Sequence, residues 1–575
     1  MLAGILITVI ALFWIAYRVY GGWMSRVFGL DDRHVVPAEG QFDGVDHVPA
    51  KTQVLLGHHF ASIAGAGPIV GPILAGLFFG WIPALIWIIV GSILVGGVHD
   101  FGSTIASVRH KARSVAELAK QYITPRAYKL FLAFIWLALI YVIVVFMDLT
   151  AATFVEVEMN GSGVAISATL FVGLALVMGY LTFSRGLSLK TGTLVFLPLL
   201  LLAIWVGDAL TVQGGLLPAI GGSEKNSWNL VLLIYCLIAA ITPVWILLQP
   251  RDYLSSWLLY LSVLGAGAGL LVGGVTGAAA VTRNWPGIVF PGEVRALGVV
   301  PLGPLFPILF ITVACGACSG FHSIVASGTT SKQIRCETDT RRVGYGAMLI
   351  EGVVAVIALG TVMILPFGAE AFGKNPISVY AGGIGQFLST LGIPARFGAH
   401  FGLLALSTFL LTTLDTCTRL GRYVMQEAFG WAKNDAKSRF WATVVTLALP
   451  AALVFATYTD PVTGVVQPAW RAIWPVFGAT NQLLAALALL AITLWLKRTG
   501  RAWAFAGVPM AFMLVMTMSA LVLLIFQEGP QLIRVISLAL FVLGLMLSIE
   551  AARAFRLGEL GPEPVTLKPA EAMGD

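Results

Sequence analysis

Five side chains that can take up or release a proton stand in stretches otherwise apolar enough to lie in a membrane. His58 and His59 open LLGHHFASIAGAGPIVGPILAG (55–76), His99 and Asp100 sit in GGVHDFGS (96–103), and His322 sits in CSGFHSIVAS (318–327). An ionisable group within a span costs about 2.5–3.5 kcal/mol on insertion scales, so each is a candidate for function. Histidine titrates near neutral pH, which suits a coupling proton. The same residues fit two other roles: metal ligation by His and Asp at similar depth, and hydrogen-bonded packing between helices. Ser319 and Ser323 accompany His322, and helical spacing puts Cys315, Ser319, His322 and Ala326 on one face.

A second kind of chemistry belongs to bare backbone. Gly65, Ala66, Gly67 and Pro68 lie in IAGAGPIVGP (63–72), and Thr242 and Pro243 lie in AAITPVWILLQP (239–250). Both fragments run from small residues to a proline, then through an apolar run to a second proline. Proline cannot donate a backbone hydrogen bond and its ring clashes with the preceding turn. The freed groups cannot face lipid and must meet protein or a polar cavity. Each proline is expected to open a second half-helix, whose N-terminal end carries about half a positive charge. Two such ends converging at the midplane would favour a small anion, most simply a carboxylate. Either fragment taken alone also fits an ordinary proline kink.

The elements that position these residues follow from composition. Of 575 residues, 58% are hydrophobic and 11% charged, too few charges to clothe a soluble protein of this size. Runs of about 20 apolar residues recur along the chain, each able to cross a hydrocarbon core of roughly 30 Å. The expected class is an all-α polytopic membrane protein with about fifteen spans. The 35 Lys+Arg against 28 Asp+Glu fall in short loops and mark topology rather than nucleic-acid binding. Basic clusters at 109–113, 184–190, 331–342, 419–422 and 496–501 share one side if the N-terminus is outside and the C-terminus inside. That count requires 376–393 to be an external helix that does not cross. The reading divides the chain into an N-terminal helix and cytoplasmic loop (1–53), a core (54–425), accessory helices (426–553) and a tail (554–575). Leaving out the first helix, the next ten spans split five and five with opposite topology, and each set opens on one of the interrupted fragments. The first helix is expected to be retained, and the five cysteines imply no disulfide framework. Asp148, Asp415 with Arg419, Asn481 and Gln482 read as structural.

Four motifs, GHHFASIAGAGPIVGP (57–72), GGVHDFGS (96–103), CGACSGFHSIVASGTTSKQ (315–333) and WPVFGATNQLLAA (474–486), resemble the carbon starvation protein A family over nearly the whole chain. The resemblance implies a multi-pass transporter of the bacterial inner membrane that takes up peptides or pyruvate, driven by protons. It also implies the leucine-transporter fold, with inverted five-helix repeats whose first and sixth core helices are unwound. In that fold the first and eighth core helices touch, which would bring Ala64 and Gly65 to Ser319, His322 and Ser323. Sodium-driven relatives hold an ion there, and the His322 imidazolium would take its place. A sodium-coupled small-solute transporter and a membrane-embedded metal-dependent enzyme are the alternatives, although HExxH is absent from the sequence. The partners expected are a short peptide or pyruvate, a coupling proton or sodium, and membrane lipid, with no nucleic acid and no cofactor.

Overall fold

Helices form wherever the apolar runs fall. The computed structural model describes residues 1–558 apart from 157–159, 211, 213–214, 279–282, 432–434, 460–465, 473 and 528–530. Parts of two expected loops (157–159 and 528–530) and the tail beyond 558 therefore lie outside the described residues. Among those described, twelve helices are long and apolar enough to cross a membrane, and one further pair, bent by 45°, does so together. The chain is thus a multi-pass membrane protein. The expected count of about fifteen is not reached on length and hydropathy: Ala436–Leu453 and a broken segment at 305–330 fall outside those limits.

With several short connecting helices left aside, the order is α1 (Leu2–Phe28), α2 (Thr52–Ile63), α3 (Gly67–Phe79), α4 (Trp81–Arg109), α5 (Pro125–Phe154), α6 (Gly161–Ser184), α7 (Leu189–Ala209), α8 (Glu224–Ile241) and α9 (Leu248–Thr276). There follow α10 (Leu305–Thr312), α11 (Gly320–Val325, extended by a wide π turn Ala326–Thr330), α12 (Arg341–Met363), α13 (Pro376–Ser389) and α14 (Ala395–Phe429). The chain ends with α15 (Ala436–Leu453), α16 (Trp474–Arg498), α17 (Ala504–Phe526) and α18 (Gln531–Phe555). The 14 residues of α13 reach about 21 Å at 1.5 Å per residue, short of the roughly 30 Å core. It packs along α14.

Packing groups ten segments into two sets. The first is the bent pair α2/α3, then α4, α5, α8 and α9; the second is α10/α11, then α12, α14, α15 and α16. Third packs on third (α5 on α14) and fourth on fourth (α8 on α15), while α3 lies on α12 and α11 on α4. Six crossings lie between the two opening segments, so the sets run in opposite directions. The hairpin of α6 and α7 is inserted between the third and fourth members of the first set. This corrects the expected split: the partner of the 63–72 break is the interruption between α10 and α11, not 239–250. The second set also ends at Arg498, beyond the boundary expected at 425.

One face of the bundle carries the basic loops and is sealed by a strap, Gly29–Lys51, that joins α1 to α2. Arg109 donates to Glu337, which also accepts from the Asp31 N–H. The Val244 N–H donates to Val45 O and the Ala50 N–H to Gln333 O. At the centre of the strap Asp46 accepts from Arg419 at 2.9 Å and from Arg422 at 3.0 Å. Burial alone would push the Asp46 carboxyl up, but Arg422, Arg419 and Lys332 hold it well below the usual carboxylate range. A depressed carboxyl contributes stability above its ordinary value near about 3.9, and that stability is lost as pH falls through the folded value. Asp46→Asn leaves two buried guanidinium groups short of a counter-charge. It is expected to cost about 3–5 kcal/mol, read as a lowered unfolding temperature in detergent at pH 7, with Asp46→Glu losing much less.

Candidate functional site

Both interruptions sit in the interior, and neighbours satisfy the backbone they free. At the first, Ala64–Ala66 separate α2 from α3, and Thr413 of α14 donates to the Ser62 carbonyl at 3.0 Å. At the second, Val313–Ser319 separate α10 from α11. Trp87 donates to the Val313 carbonyl at 3.1 Å, and Ser92 to the Gly316 carbonyl at 3.1 Å. The Gly316 N–H donates to Glu351 at 3.0 Å, and the Phe321 N–H to the Asn481 side chain at 3.0 Å. Gly316 takes φ +87, a left-handed conformation that a side chain resists. The two breaks touch: a Cβ on Gly67 would collide with Cys315.

That contact floors a cavity of 350 Å³. Gly67, Val70 and Leu74 of α3 form one wall, Phe146 of α5 and Phe477 of α16 form others, and Cys315 lies at the base. Of the two half-helix N-terminal ends, only that of α3 borders this space, where it meets the C-terminal end of α10 at Ile311 and Thr312; the α11 end is capped by Asn481.

Behind the second break lies a buried trio. His322 Nδ1 is 2.9 Å from Asp100 Oδ2, and its Nε2 is 3.3 Å from Glu351 Oε2. His99 Nδ1 lies 2.8 Å from the other Asp100 oxygen. All four side chains are fully buried. Glu351 therefore touches both the histidine ring and the Gly316 amide. One proton more or less on these groups changes the charge the interior must hold and the acceptor that shapes the break.

The other expected residues fall in several places. Gly65 lies against Phe146 and Thr413, and buried Ala66 precedes α3. Pro68 opens α3 against Gly316. Direct hydrogen bonds do not join the five titratable groups into one cluster. His58 pairs with Asp252 at 2.5 Å and with Thr329 at 3.1 Å, while His59 pairs with Thr330 at 2.8 Å. Asp252 continues through Arg251 to Asp415 and Tyr235. Cys315, Ser319 and His322 do not share a continuous helix, since the chain is broken between Cys315 and Ser319. Cys315 still donates to Ser319 at 3.2 Å, and Ser323 donates to the Gly320 carbonyl. Thr242 and Pro243 lie in the link from α8 to α9 at the basic face, where Arg419 donates to the Thr242 carbonyl. They open no half-helix at the midplane. The first core helix meets the eighth, α14, through Ser62 and Thr416 (3.3 Å) and through Thr413; His322 belongs to the sixth.

Glu351 escaped the sequence reading although it is a lone acid in GAMLIEGVVAVIALG (346–360), a signal as strong as the histidines. Asn481 reads from sequence as helix packing; its role as cap of α11 depends on where that helix begins.

A model of the carbon starvation protein CstA family matches residues 2–375 and 368–520. The peptide transporter CstA of Escherichia coli K12 is 31% identical, covering 90% of this chain and 80% of that protein. The pyruvate/proton symporter BtsT of Escherichia coli K12 is 30% identical, covering 92% and 82%. Among solved structures, the Eremococcus coleocola manganese transporter in complex with an aromatic bis-isothiourea substituted compound is 14% identical with a TM-score of 0.43, covering 90% of this chain and 99% of that one. MhsT in complex with L-phenylalanine is 13% identical with a TM-score of 0.44, covering 88% and 99%. With its family model matched along both sets of core helices and its relatives aligned nearly end to end, the chain belongs to the CstA family of carbon starvation proteins.

Proposed function

We propose that this chain is a proton-coupled importer of small carboxylates in a bacterial inner membrane, working by alternating access. The basic face is the cytoplasmic one, with the N-terminus periplasmic and the C-terminus cytoplasmic. The observation that carries this reading is the short path from cavity to trio. The cavity ends at Gly67 and Cys315, and the next residue, Gly316, is held by the carboxylate that also meets His322. The substrate carboxylate sits against the backbone of Gly65–Pro68 at the start of α3, and Asp100, His322 and Glu351 carry the proton. Thr242 and Pro243 serve the seal on the basic face, and His58 belongs to the same closure.

A relative named for pyruvate and protons and another named for peptides leave two substrate classes. Among the described residues lining the cavity there is no carboxylate to pair with a peptide ammonium, which favours a monocarboxylate such as pyruvate over a short peptide. A sodium-coupled cycle is the second reading, favoured by the oxygens of Ser62, Thr413 and Thr416 converging where α2 meets α14.

The test is uptake of labelled pyruvate into proteoliposomes with sodium replaced by choline. An imposed inward proton gradient is expected to drive accumulation. His322→Gln and Glu351→Gln are expected to reduce it to background while the protein still folds, because Gln at 351 keeps an acceptor for the Gly316 N–H. In a matched arm with an inward sodium gradient and no proton gradient, accumulation with both variants active overturns the assignment. In the same vesicles excess unlabelled pyruvate is expected to abolish uptake and excess dialanine to leave it unchanged; equal competition by dialanine overturns the choice of substrate.

A further inference from the structure

A second and larger cavity lies away from the transport path, between α1, the start of α2 and α12. Its volume is 740 Å³. Its inner walls are apolar: Ile10 and Trp14 of α1, Leu56 of α2, and Ile350 and Val353 of α12. Its mouth is ringed by Lys51, Arg335 and Arg342, all exposed at the basic face. The charges facing that mouth are unbalanced. Arg342 pairs with Asp339 at 3.2 Å, and Arg335 reaches Thr52 at 3.5 Å. Asp339 is itself buried and shared with the Thr52 hydroxyl, so one carboxylate stands against three cations.

Depth and chemistry agree on one occupant. From Arg342 to Val353 a helix rises about 16 Å at 1.5 Å per residue, half of a roughly 30 Å hydrocarbon core. The groove thus runs from headgroup level to the middle of the bilayer, with cations at its mouth and hydrocarbon along its length. Ile10 and Trp14 keep 48% and 62% of their surface exposed on the lipid side, so the slot is open laterally. Basic pockets between membrane helices at headgroup level are suited to anionic lipid headgroups.

We propose that this groove holds one anionic glycerophospholipid of the leaflet at the basic face, its phosphate held by Lys51, Arg335 and Arg342 and one acyl chain lying between α1 and α12. The lipid bridges the peripheral helix α1 to the start of the broken segment.

Two experiments test this on the full-length chain. In the first, the wild-type protein in phosphatidylcholine vesicles receives a phosphatidylglycerol bearing a diazirine on its acyl chain. After photolysis, peptide mass spectrometry is expected to find adducts concentrated in residues 10–17 and 346–353, suppressed by unlabelled phosphatidylglycerol. Adducts spread evenly over the lipid-facing helices overturn the proposal. In the second, native mass spectrometry reads phosphatidylglycerol retained after delipidation. Lys51→Gln, Arg335→Gln and Arg342→Gln together are expected to weaken retention about a hundredfold. Lys111→Gln, Lys190→Gln and Lys437→Gln together, on the same face but away from the groove, are expected to change it little. Gly346→Leu fills the slot without touching the charges, because a Cβ there meets only ordinary contacts with Tyr17 and Arg341; it is expected to reduce retention likewise. Equal retention in the first triple variant, or equal loss in the control triple, overturns the site. The photolabelling result stands on the wild type even where a variant fails to fold.

Discussion

The architecture depends on backbone amides and carbonyls that no helix satisfies in a place where water cannot. Leaving such a group buried and unpaired costs about 1–3 kcal/mol. At the second break four are met by side chains from three other helices: Trp87 and Ser92 from α4, Glu351 from α12 and Asn481 from α16. At the first break, Thr413 of α14 meets the Ser62 carbonyl. Each broken segment is therefore completed by its neighbours, and neither could hold its shape as an isolated peptide. The tight contact of Gly67 with Cys315 locks the two together, so a shift in one is felt by the other.

The buried charges divide into two systems with different work. Around His322, the carboxyl groups of Asp100 and Glu351 stand at 2.9 and 3.3 Å, with no arginine or lysine between them. Near the basic face, His58, Asp252, Arg251 and Asp415 form one chain, and Asp46, Arg419 and Arg422 another. Guanidinium groups stay charged at any physiological pH, so the second system closes the face permanently until it is pulled apart. The first contains groups that can exchange a proton, which is what the proposed coupling requires.

Class, span positions and the first break were legible because they depend on local features: apolar length, and Gly65 to Pro68 in a row. The second break was not. Its sequence, VACGACS, contains no proline, and its interruption comes from Gly316 at positive φ and from partners far along the chain. Pro243 looked like its equivalent because proline announces the end of a helix without saying at what depth. The histidines were visible as ionisable groups but not as separate clusters, since the spacing of residues 58, 99 and 322 carries no information about which helices adjoin. Glu351 was visible in principle, and only the attention given to histidine hid it.

One feature of the basic face constrains how the protein moves. The start of α2 is riveted to the end of α11 three times over, at Ala50 with Gln333, His58 with Thr329, and His59 with Thr330. While those rivets hold, the leaf that swings is two helices thick. Its remaining bonds include those to Asp252 on α9, to Asp100 and Ser107 on α4 and to the hydroxyls of α14, so an inward-opening crack must break along those three seams.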